Sequence, residues 1–317
     1  LLCAFSLNVS AEKIEIKFSH VVAENTPKGQ MALKFKALVE ERLAGQVVVK
    51  VFPNSQLFGD NKVLEAMQLG DVQLAAPSLS KFKKYTKKLQ VFDLPFIFND
   101  MAAVERFQQG EQGQKLLNSI KRKGLQGLGY LHNGMKQLSS SSEMATPADL
   151  KGKKFRIMSS DVLAAQFHAV DAVPVKKPFS EVFTLLQTKA IDGQENTWSN
   201  IYGKKFFEVQ DGVTETNHGI IDYMLVTSTD WWDSLDAGMR DQLSKIVDEV
   251  TEARNSESTA VNESAKQEII SSGGVVRQLT SAQRDAWVAA MMPVWDQFKD
   301  DVGEENIAAA QAINANH

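Results

Sequence analysis

The chain has 317 residues, of which 43% are hydrophobic and 23% are charged, and its net charge at pH 7 is −4. This length exceeds what a single hydrophobic core usually organises, so we expect two lobes. The small negative charge excludes a polybasic nucleic-acid-binding protein and a highly acidic disordered tail. An acidic protein that binds an anion must therefore concentrate positive charge locally.

The first eleven residues differ in composition from the rest of the chain. Residues 1–7 are mostly apolar, and Val9, Ser10 and Ala11 form a small-residue end of the A-x-A type. This pattern is typical of the second half of a signal peptide, with cleavage expected after Ala11, and a disordered N-terminus is the alternative. The only cysteine, Cys3, lies in this segment. The mature chain is therefore predicted to have no disulfide, catalytic thiol or cysteine-type zinc site.

Strands and helices are predicted to alternate at the start of the chain. Three segments have the composition of strands: 14–18, 47–52 and 72–76. A helix is expected to begin at Pro27 after the capping residue Thr26, and a short helix is expected over 60–69. This alternation predicts βαβ units and a largely parallel sheet.

The same pattern recurs in the remainder of the chain. Further strands are predicted over residues 128–131, 154–157 and 218–227. Further helices are predicted over residues 162–170, 181–189 with Ser180 as the cap, 234–270 and 281–298. The sequence lacks a flexible linker, so we expect the chain to cross between two lobes more than once. A cleft between such lobes is a common place for a small ligand.

Seven segments of the chain resemble the DctP-type solute-binding proteins of TRAP transporters. They are residues 18–29, 52–60, 75–82, 92–96, 132–137, 150–156 and 192–198. The resemblance extends from about Glu12 to the C-terminal helix, and the order and spacing of the segments are its most specific features. Residues 76–78 (Ala-Pro-Ser) and 198–200 (Trp-Ser-Asn) are most similar to the C4-dicarboxylate-binding branch.

The resemblance implies an α/β periplasmic binding protein with two lobes, a cleft between them and a long helix that spans both. We expect residues 12–134 plus 222–261 in the first lobe and residues 135–221 plus 262–317 in the second. The implied function is capture of succinate, malate or fumarate by lobe closure in the periplasm, followed by delivery to the TRAP membrane permease subunits. The protein is expected to be a monomer, and an additional role in supplying a sensor kinase is compatible with this function.

The resemblance also implies which residues bind the carboxylate. Arg156 would contact it through two parallel N–H donors, a geometry that fixes the orientation of the ligand. Asn196 would donate to the same carboxylate. Lys136 occupies a position where sialic-acid-binding relatives carry arginine, and we expect it to make a second ligand contact. Without the resemblance, Arg156 would be interpreted as a solvated surface residue and Asn196 as a turn residue.

The second carboxylate is expected near the start of the first helix and the loop after the third strand. His20 and Lys28 flank that helix start, where free backbone N–H groups favour anions. Ser78 and Lys81 come from the loop. A packed His20 and a solvated Lys28 are the alternatives. The cavity wall is predicted to include four further residues: Phe179, Trp198, Asn200 and Tyr223.

No catalytic, metal or cofactor motif is present. The sequence contains no H-E-x-x-H, P-loop, EF-hand or G-x-S-x-G pattern, and its five histidines lack ligand spacing. We therefore expect no enzyme activity, no cofactor, no metal and no nucleic-acid partner. The alternatives are binding of another organic acid (a sugar acid, a keto acid or another monocarboxylate) and an extracytoplasmic enzyme with a two-lobe cleft.

Overall fold

Eleven strands form two sheets in the computed structural model, which describes residues 13–315. In chain order the strands are β1 (Ile14–Ser19), β2 (Val47–Phe52), β3 (Leu74–Ala75), β4 (Leu125–Met135), β5 (Gln137–Ser140), β6 (Lys154–Ile157), β7 (Val173–Lys176), β8 (Gly193–Asn196), β9 (Gly212–Glu215), β10 (Ile220–Ser228) and β11 (Val276–Gln278). The order is β2-β1-β3-β10-β4 in the first sheet and β11-β9-β5-β8-β6-β7 in the second. Each sheet forms the centre of one lobe, as predicted. The expected signal peptide, residues 1–11, lies outside the described residues.

Twelve α-helices surround these sheets in the described part of the chain. They are α1 (Pro27–Arg42), α2 (Val63–Gln68), α3 (Met101–Gln109), α4 (Glu111–Asn118), α5 (Asp161–His168), α6 (Val182–Gln187), α7 (Trp198–Gly203), α8 (Thr229–Ser234), α9 (Ala237–Ser271), α10 (Ser281–Met291), α11 (Val294–Val302) and α12 (Glu304–Ala315). None of the helices in residues 13–315 combines the length and the apolarity needed to cross a bilayer.

The start of α1 illustrates how local sequence fixes an element. Thr26 has an extended backbone and its side chain accepts a hydrogen bond from the Gly29 amide, while Pro27 occupies the first helical position. In the core of the first lobe, Phe18 of β1 packs edge-to-face against Phe35 of α1, with ring centroids 6.0 Å apart. The helix predicted to begin at Pro27 is thereby confirmed.

The sheets are mixed rather than largely parallel, so that prediction was wrong. In the first sheet, β1 pairs in parallel with β2 and β3, whereas β10 runs antiparallel to β3 and β4. In the second sheet, β5 runs antiparallel to β8 and β9. The antiparallel strands adjoin the crossings: the chain leaves β4 for β5 through Lys136 and returns from β9 to β10 through residues 216–219.

Helix α9 is the predicted long helix, and its 35 residues correspond to about 50 Å. It packs against α1 and β4 of the first lobe and against α7 of the second, so it spans both lobes. Its start differs from the expected residue 234, because Leu235 and Asp236 have extended backbones that separate α8 from α9. Asp236 caps α9 by accepting a 2.9 Å hydrogen bond from the Met239 amide.

Two further helix boundaries differ from the prediction. The helix expected over 281–298 is divided into α10 and α11 at Pro293, because proline has no N–H to continue the helical hydrogen bonds. Ser180 does not cap α6: it lies inside a 3₁₀ turn (Phe179–Glu181) that precedes the helix.

The division of the chain between the lobes stays a prediction, and we propose one change to it. Helix α12 packs against α3 and α4, and α11 packs against a 3₁₀ segment (Lys88–Asp93) that belongs to the first lobe. Helix α12 is therefore better grouped with the first lobe, whereas α11 contacts both lobes because it also packs against α5.

Candidate functional site

A cavity of about 290 Å³ lies between the two lobes. It is lined by Val21, Val22, Ser55, Gly59, Asp60, Asn61, Lys62, Ser78, Lys81, Arg156, Met158, Pro178, Phe179, Ser180, Asn196, Asn200, Ile221 and Tyr223. Most of these residues sit at or beyond the carboxyl ends of β1, β2, β3, β6, β7 and β8. The carboxyl ends of strands in open α/β sheets are the usual place for a ligand.

Arg156 is the third residue of β6 and is only 2% exposed. Its Nε donates a 2.9 Å hydrogen bond to the carbonyl of Lys177, and this is the guanidinium's one protein acceptor among the described residues. The terminal amino groups are therefore available to the cavity. Burial lowers the pKa of Arg156 to about 10, although Glu195 and Asp60 oppose this shift, so the side chain remains cationic at neutral pH.

Asn196 ends β8 and is buried, and Asn200 follows in the first turn of α7. The side-chain oxygen of Asn196 accepts hydrogen bonds from the Thr197 amide at 3.2 Å and from Asn200 Nδ2 at 2.8 Å. Because its oxygen is occupied, Asn196 presents its amino group as a donor to an acceptor in the cavity. The structure thus brings Asn196, Asn200 and Arg156 to one cavity, as the sequence predicted.

Lys81 and Ser78 line the same cavity from the first lobe. Lys81 Nζ donates a 2.8 Å hydrogen bond to Asn61 Oδ1. Burial lowers the pKa of Lys81 to about 8, and the nearby Asp60 carboxylate opposes this effect. Ser78 follows β3 and forms an isolated antiparallel bridge with Tyr223. The predicted pair of loop residues therefore lies in the cavity wall.

Lys28 and His20 lie behind this wall rather than in it. Lys28 is completely buried, donates a 2.8 Å hydrogen bond to the Ala76 carbonyl, and has its Nζ 3.6 Å from the centroid of the Tyr223 ring. Burial lowers the pKa of Lys28 to about 8. Burial also lowers the pKa of His20 to about 3, so His20 is neutral and packs edge-to-face with Phe18. The structure therefore favours the packed alternative for His20.

The predicted aromatic wall is divided between the cavity and the core. Phe179 and Tyr223 line the cavity, and the Phe179 ring centroid lies 5.8 Å from Cζ of Arg156. Trp198, in contrast, packs in the apolar core of the second lobe and does not line the cavity. As the first residue of α7, Trp198 turns its ring toward Lys266 of α9, whose Nζ lies 5.7 Å from the ring centroid.

Lys136 is not a cavity residue, in contrast to the sequence-based expectation. It is completely buried, and its Nζ lies 2.7 Å from Glu195 Oε2. The same oxygen lies 2.9 Å from Nε2 of His218, which is also buried. Burial alone would raise the pKa of Glu195, but Lys136 and His218 outweigh it and lower the pKa to about 2. Lys136 therefore neutralises a buried carboxylate of its own chain.

Asp60 and Asn61 are cavity residues that the sequence analysis missed. The Asp60 carboxylate acts electrostatically on Lys28, Lys81 and Arg156, raising the pKa of each against the effect of burial. An acidic residue is unexpected in an anion site. Its position in the sequence could have identified it, because Asp60 is the last residue of the segment 52–60, which resembles the family.

The chain matches the family model described as bacterial extracellular solute-binding protein, family 7, over residues 18–301. The chain belongs to this family. It is 65% identical to the C4-dicarboxylate-binding periplasmic protein DctP of Shewanella loihica, over 99% of this chain and 94% of that protein. These findings confirm the predicted family and its solute-binding function.

Two solved structures of this family share the fold. A TRAP periplasmic solute-binding protein from Shewanella oneidensis with bound succinate is 62% identical, with a TM-score of 0.94, and the alignment covers 96% of this chain and 100% of that one. One from Pseudomonas aeruginosa with bound L-malate is 46% identical, with a TM-score of 0.87, over 90% and 99% of the two chains. The similarity confirms the two-lobed fold.

The buried pair of Lys136 and Glu195 generates a stability prediction. Lys136→Met should lower the free energy of unfolding of the ligand-free protein by about 3–5 kcal/mol, because it leaves the Glu195 carboxylate buried without its main counter-charge. The double variant Lys136→Met/Glu195→Gln should recover part of this loss. Urea denaturation checks both expectations.

The matched control is Lys245→Met, which removes an exposed lysine paired with Asp241 one helical turn away. It should change the free energy of unfolding by no more than about 0.5 kcal/mol. A Lys136→Met protein as stable as this control would contradict the assigned role of Lys136.

Proposed function

We propose that this protein binds a C4-dicarboxylate such as succinate, malate or fumarate in the interlobe cavity and delivers it to a TRAP membrane permease. The observation that carries the proposal is the buried guanidinium of Arg156, which lines a cavity of about 290 Å³ with its terminal amino groups free of protein acceptors among the described residues. A buried arginine of this kind is suited to bidentate binding of a carboxylate. The ligands of the two related structures support the choice of a C4 diacid.

The second carboxylate is proposed to lie toward the first lobe. Lys81 lines that side of the cavity, and Lys28 adds positive charge behind the Tyr223 ring. A four-carbon diacid can contact both lobes at once, because Arg156 and Asn196 come from the second sheet while Ser78 and Lys81 follow a strand of the first. Binding energy that is available only when both lobes contact the ligand favours the closed conformation.

The ligand is proposed to leave the protein chemically unchanged. Arg156, Lys81 and the asparagines of the cavity bind and orient a carboxylate, and the cavity holds no pairing of a nucleophile with a general base among the described residues. We further propose that the protein acts as a monomer in the periplasm and that the permease contacts the closed, ligand-bound form.

Titration calorimetry with a panel of acids tests the ligand. Succinate, malate and fumarate should each release heat with a saturable 1:1 isotherm, whereas a monocarboxylate of the same length, butyrate, should bind at least about tenfold more weakly because it lacks the second charged contact. Tighter binding of a sugar acid or a keto acid than of every C4 diacid would sink the ligand assignment while leaving the binding function intact.

Arg156→Ala should weaken succinate binding by at least about tenfold, because it removes a buried charged contact to the carboxylate. Calorimetry on the folded variant measures the effect. The control is Arg122→Ala, which removes an exposed arginine that does not line the cavity. The succinate affinity of this variant should match that of the unmodified protein. Unchanged affinity in Arg156→Ala would refute the central role of this residue.

Succinate affinity should fall as the pH rises from about 7 to 9.5. The ligand remains a dianion over this range, whereas Lys81, whose pKa burial lowers to about 8, loses its charge. The direction of this pH dependence follows from the proposed contact between the ligand and Lys81. An anion binds the protonated lysine, so affinity is highest below the pKa of Lys81 and declines above it.

Lys28, with a pKa also lowered to about 8, adds to the decline. Lys81→Met should therefore flatten the pH profile in part. The control Lys84→Met removes an exposed lysine paired with Glu65 and should keep the full decline. A pH-independent affinity in the unmodified protein would contradict a ligand contact by Lys81.

A further inference from the structure

Asn133 is the extra residue of a β-bulge at the crossing between the lobes. In the pairing of β4 with β10, His132 is opposite Asp222 and Gly134 is opposite Ile221, so Asn133 has no partner of its own. A bulge of this kind turns a side chain away from the regular alternation of the strand. Asn133 is buried but does not line the cavity.

Four hydrogen bonds connect Asn133 to three other elements. Its Nδ2 donates to the Tyr223 hydroxyl in β10 at 2.7 Å, and its Oδ1 accepts from the Ser199 hydroxyl in α7 at 2.8 Å. Its amide donates to Asp222 Oδ1 at 3.1 Å, and its carbonyl accepts from Asn262 Nδ2 in α9. One residue of the first sheet is thus joined to the second lobe through its side chain and to the long helix through its backbone carbonyl.

The hydrogen bond from Asn133 determines whether the Tyr223 hydroxyl is a donor or an acceptor in the cavity. The hydroxyl accepts from Asn133 Nδ2 and, at 3.4 Å, from Asn200 Nδ2. An amide nitrogen can only donate, so the hydroxyl must use its own hydrogen on an acceptor elsewhere. Because Tyr223 lines the cavity, a ligand carboxylate is the acceptor that this geometry suits.

The contact with Ser199 positions a second part of the site. Ser199 lies between Trp198 and the cavity residue Asn200, and its amide also donates to Asn262 Oδ1 at 3.0 Å. The start of α7, which carries Asn200, is therefore held against β4 and α9 by two hydrogen bonds. Loosening these bonds would release Asn200 and, with it, its hydrogen bond to Asn196.

We propose that Asn133 is a positioning residue for ligand binding. It fixes the Tyr223 hydroxyl as a donor and keeps the cavity residues of the two lobes in their relative positions. The inference rests on the proposed binding function and extends it to a residue that the ligand does not touch. Groups that are held in place before binding lose less conformational freedom when the ligand arrives, which raises affinity.

The chain offers a matched control in Asn255. It precedes Asn262 by two turns on the same face of α9, accepts a 2.8 Å hydrogen bond from the His132 amide, and donates to the Tyr130 carbonyl at 3.1 Å. Asn255 therefore joins the same helix to the same strand, but none of its hydrogen bonds reaches a cavity residue. A purely structural role for Asn133 would make the two asparagines equivalent.

The experiment compares Asn133→Ala with Asn255→Ala in the full chain. Succinate affinity is measured by calorimetry and dissociation by stopped-flow fluorescence, at a temperature well below both unfolding midpoints. Asn133→Ala should raise the Kd by about tenfold, mostly through faster dissociation, whereas Asn255→Ala should lower the unfolding midpoint with a Kd within about twofold of the unmodified protein. The effect of Asn133→Ala should also shrink in a Tyr223→Phe background, because the hydroxyl that it orients is gone.

Equal Kd values for Asn133→Ala and Asn255→Ala, with succinate binding intact in the unmodified protein, would overturn the inference alone. Failure of the unmodified protein to bind any C4 diacid would overturn the proposed function and this inference with it. Should Asn133→Ala not fold, Ser199→Ala serves instead, because it removes one of the four bonds while sparing Asn133. A Kd severalfold higher would support the positioning role, and an unchanged Kd would refute it.

Discussion

The arrangement of the molecule depends on keeping positive charge buried between two lobes of an acidic protein. Arg156 and Lys28 are buried and Lys81 is partly buried. Burial lowers their pKa values to about 10, 8 and 8, and at these values they remain largely cationic at neutral pH. Asp60 is the carboxylate that acts on all three. Cationic groups therefore outnumber carboxylates in the lining of the cavity, which suits the binding of an anion.

The pair of Lys136 and Glu195 helps to preserve this excess of positive charge. Glu195 immediately precedes the cavity residue Asn196, so an unpaired carboxylate there would cancel part of the charge that Arg156 supplies. The 2.7 Å contact with Lys136 removes one charge of each sign from the surroundings of the cavity. A lysine that the sequence suggests as a ligand contact thus serves the ligand indirectly, by neutralising the acid behind the site.

The sequence predicted those features that local patterns determine. The strand over 154–157 places Arg156 near the carboxyl end of β6, and the cap at Thr26 marks where α1 begins. The start of α9 after Asp236 was not predicted. What the sequence could not reveal are pairings between distant residues. Lys136 and Glu195 are 59 positions apart, and only the antiparallel pairing of β5 with β8 brings them together. The approach of Asp60 to the cations depends in the same way on tertiary packing.

The region where the chain crosses between the lobes is polar, and this polarity gives the crossing a defined geometry. Apolar contacts tolerate small shifts, whereas hydrogen bonds are directional and weaken steeply when their angle changes. The helix α9 meets β4 through Asn255 and Asn262, and β4 meets α7 and β10 through Asn133. A strand crossing that were held only by apolar packing would allow the lobes to meet in several neighbouring arrangements. A network of asparagines fixes the local geometry of the crossing, and in the closed conformation this geometry would allow groups from two separate sheets to bind opposite ends of a four-carbon ligand.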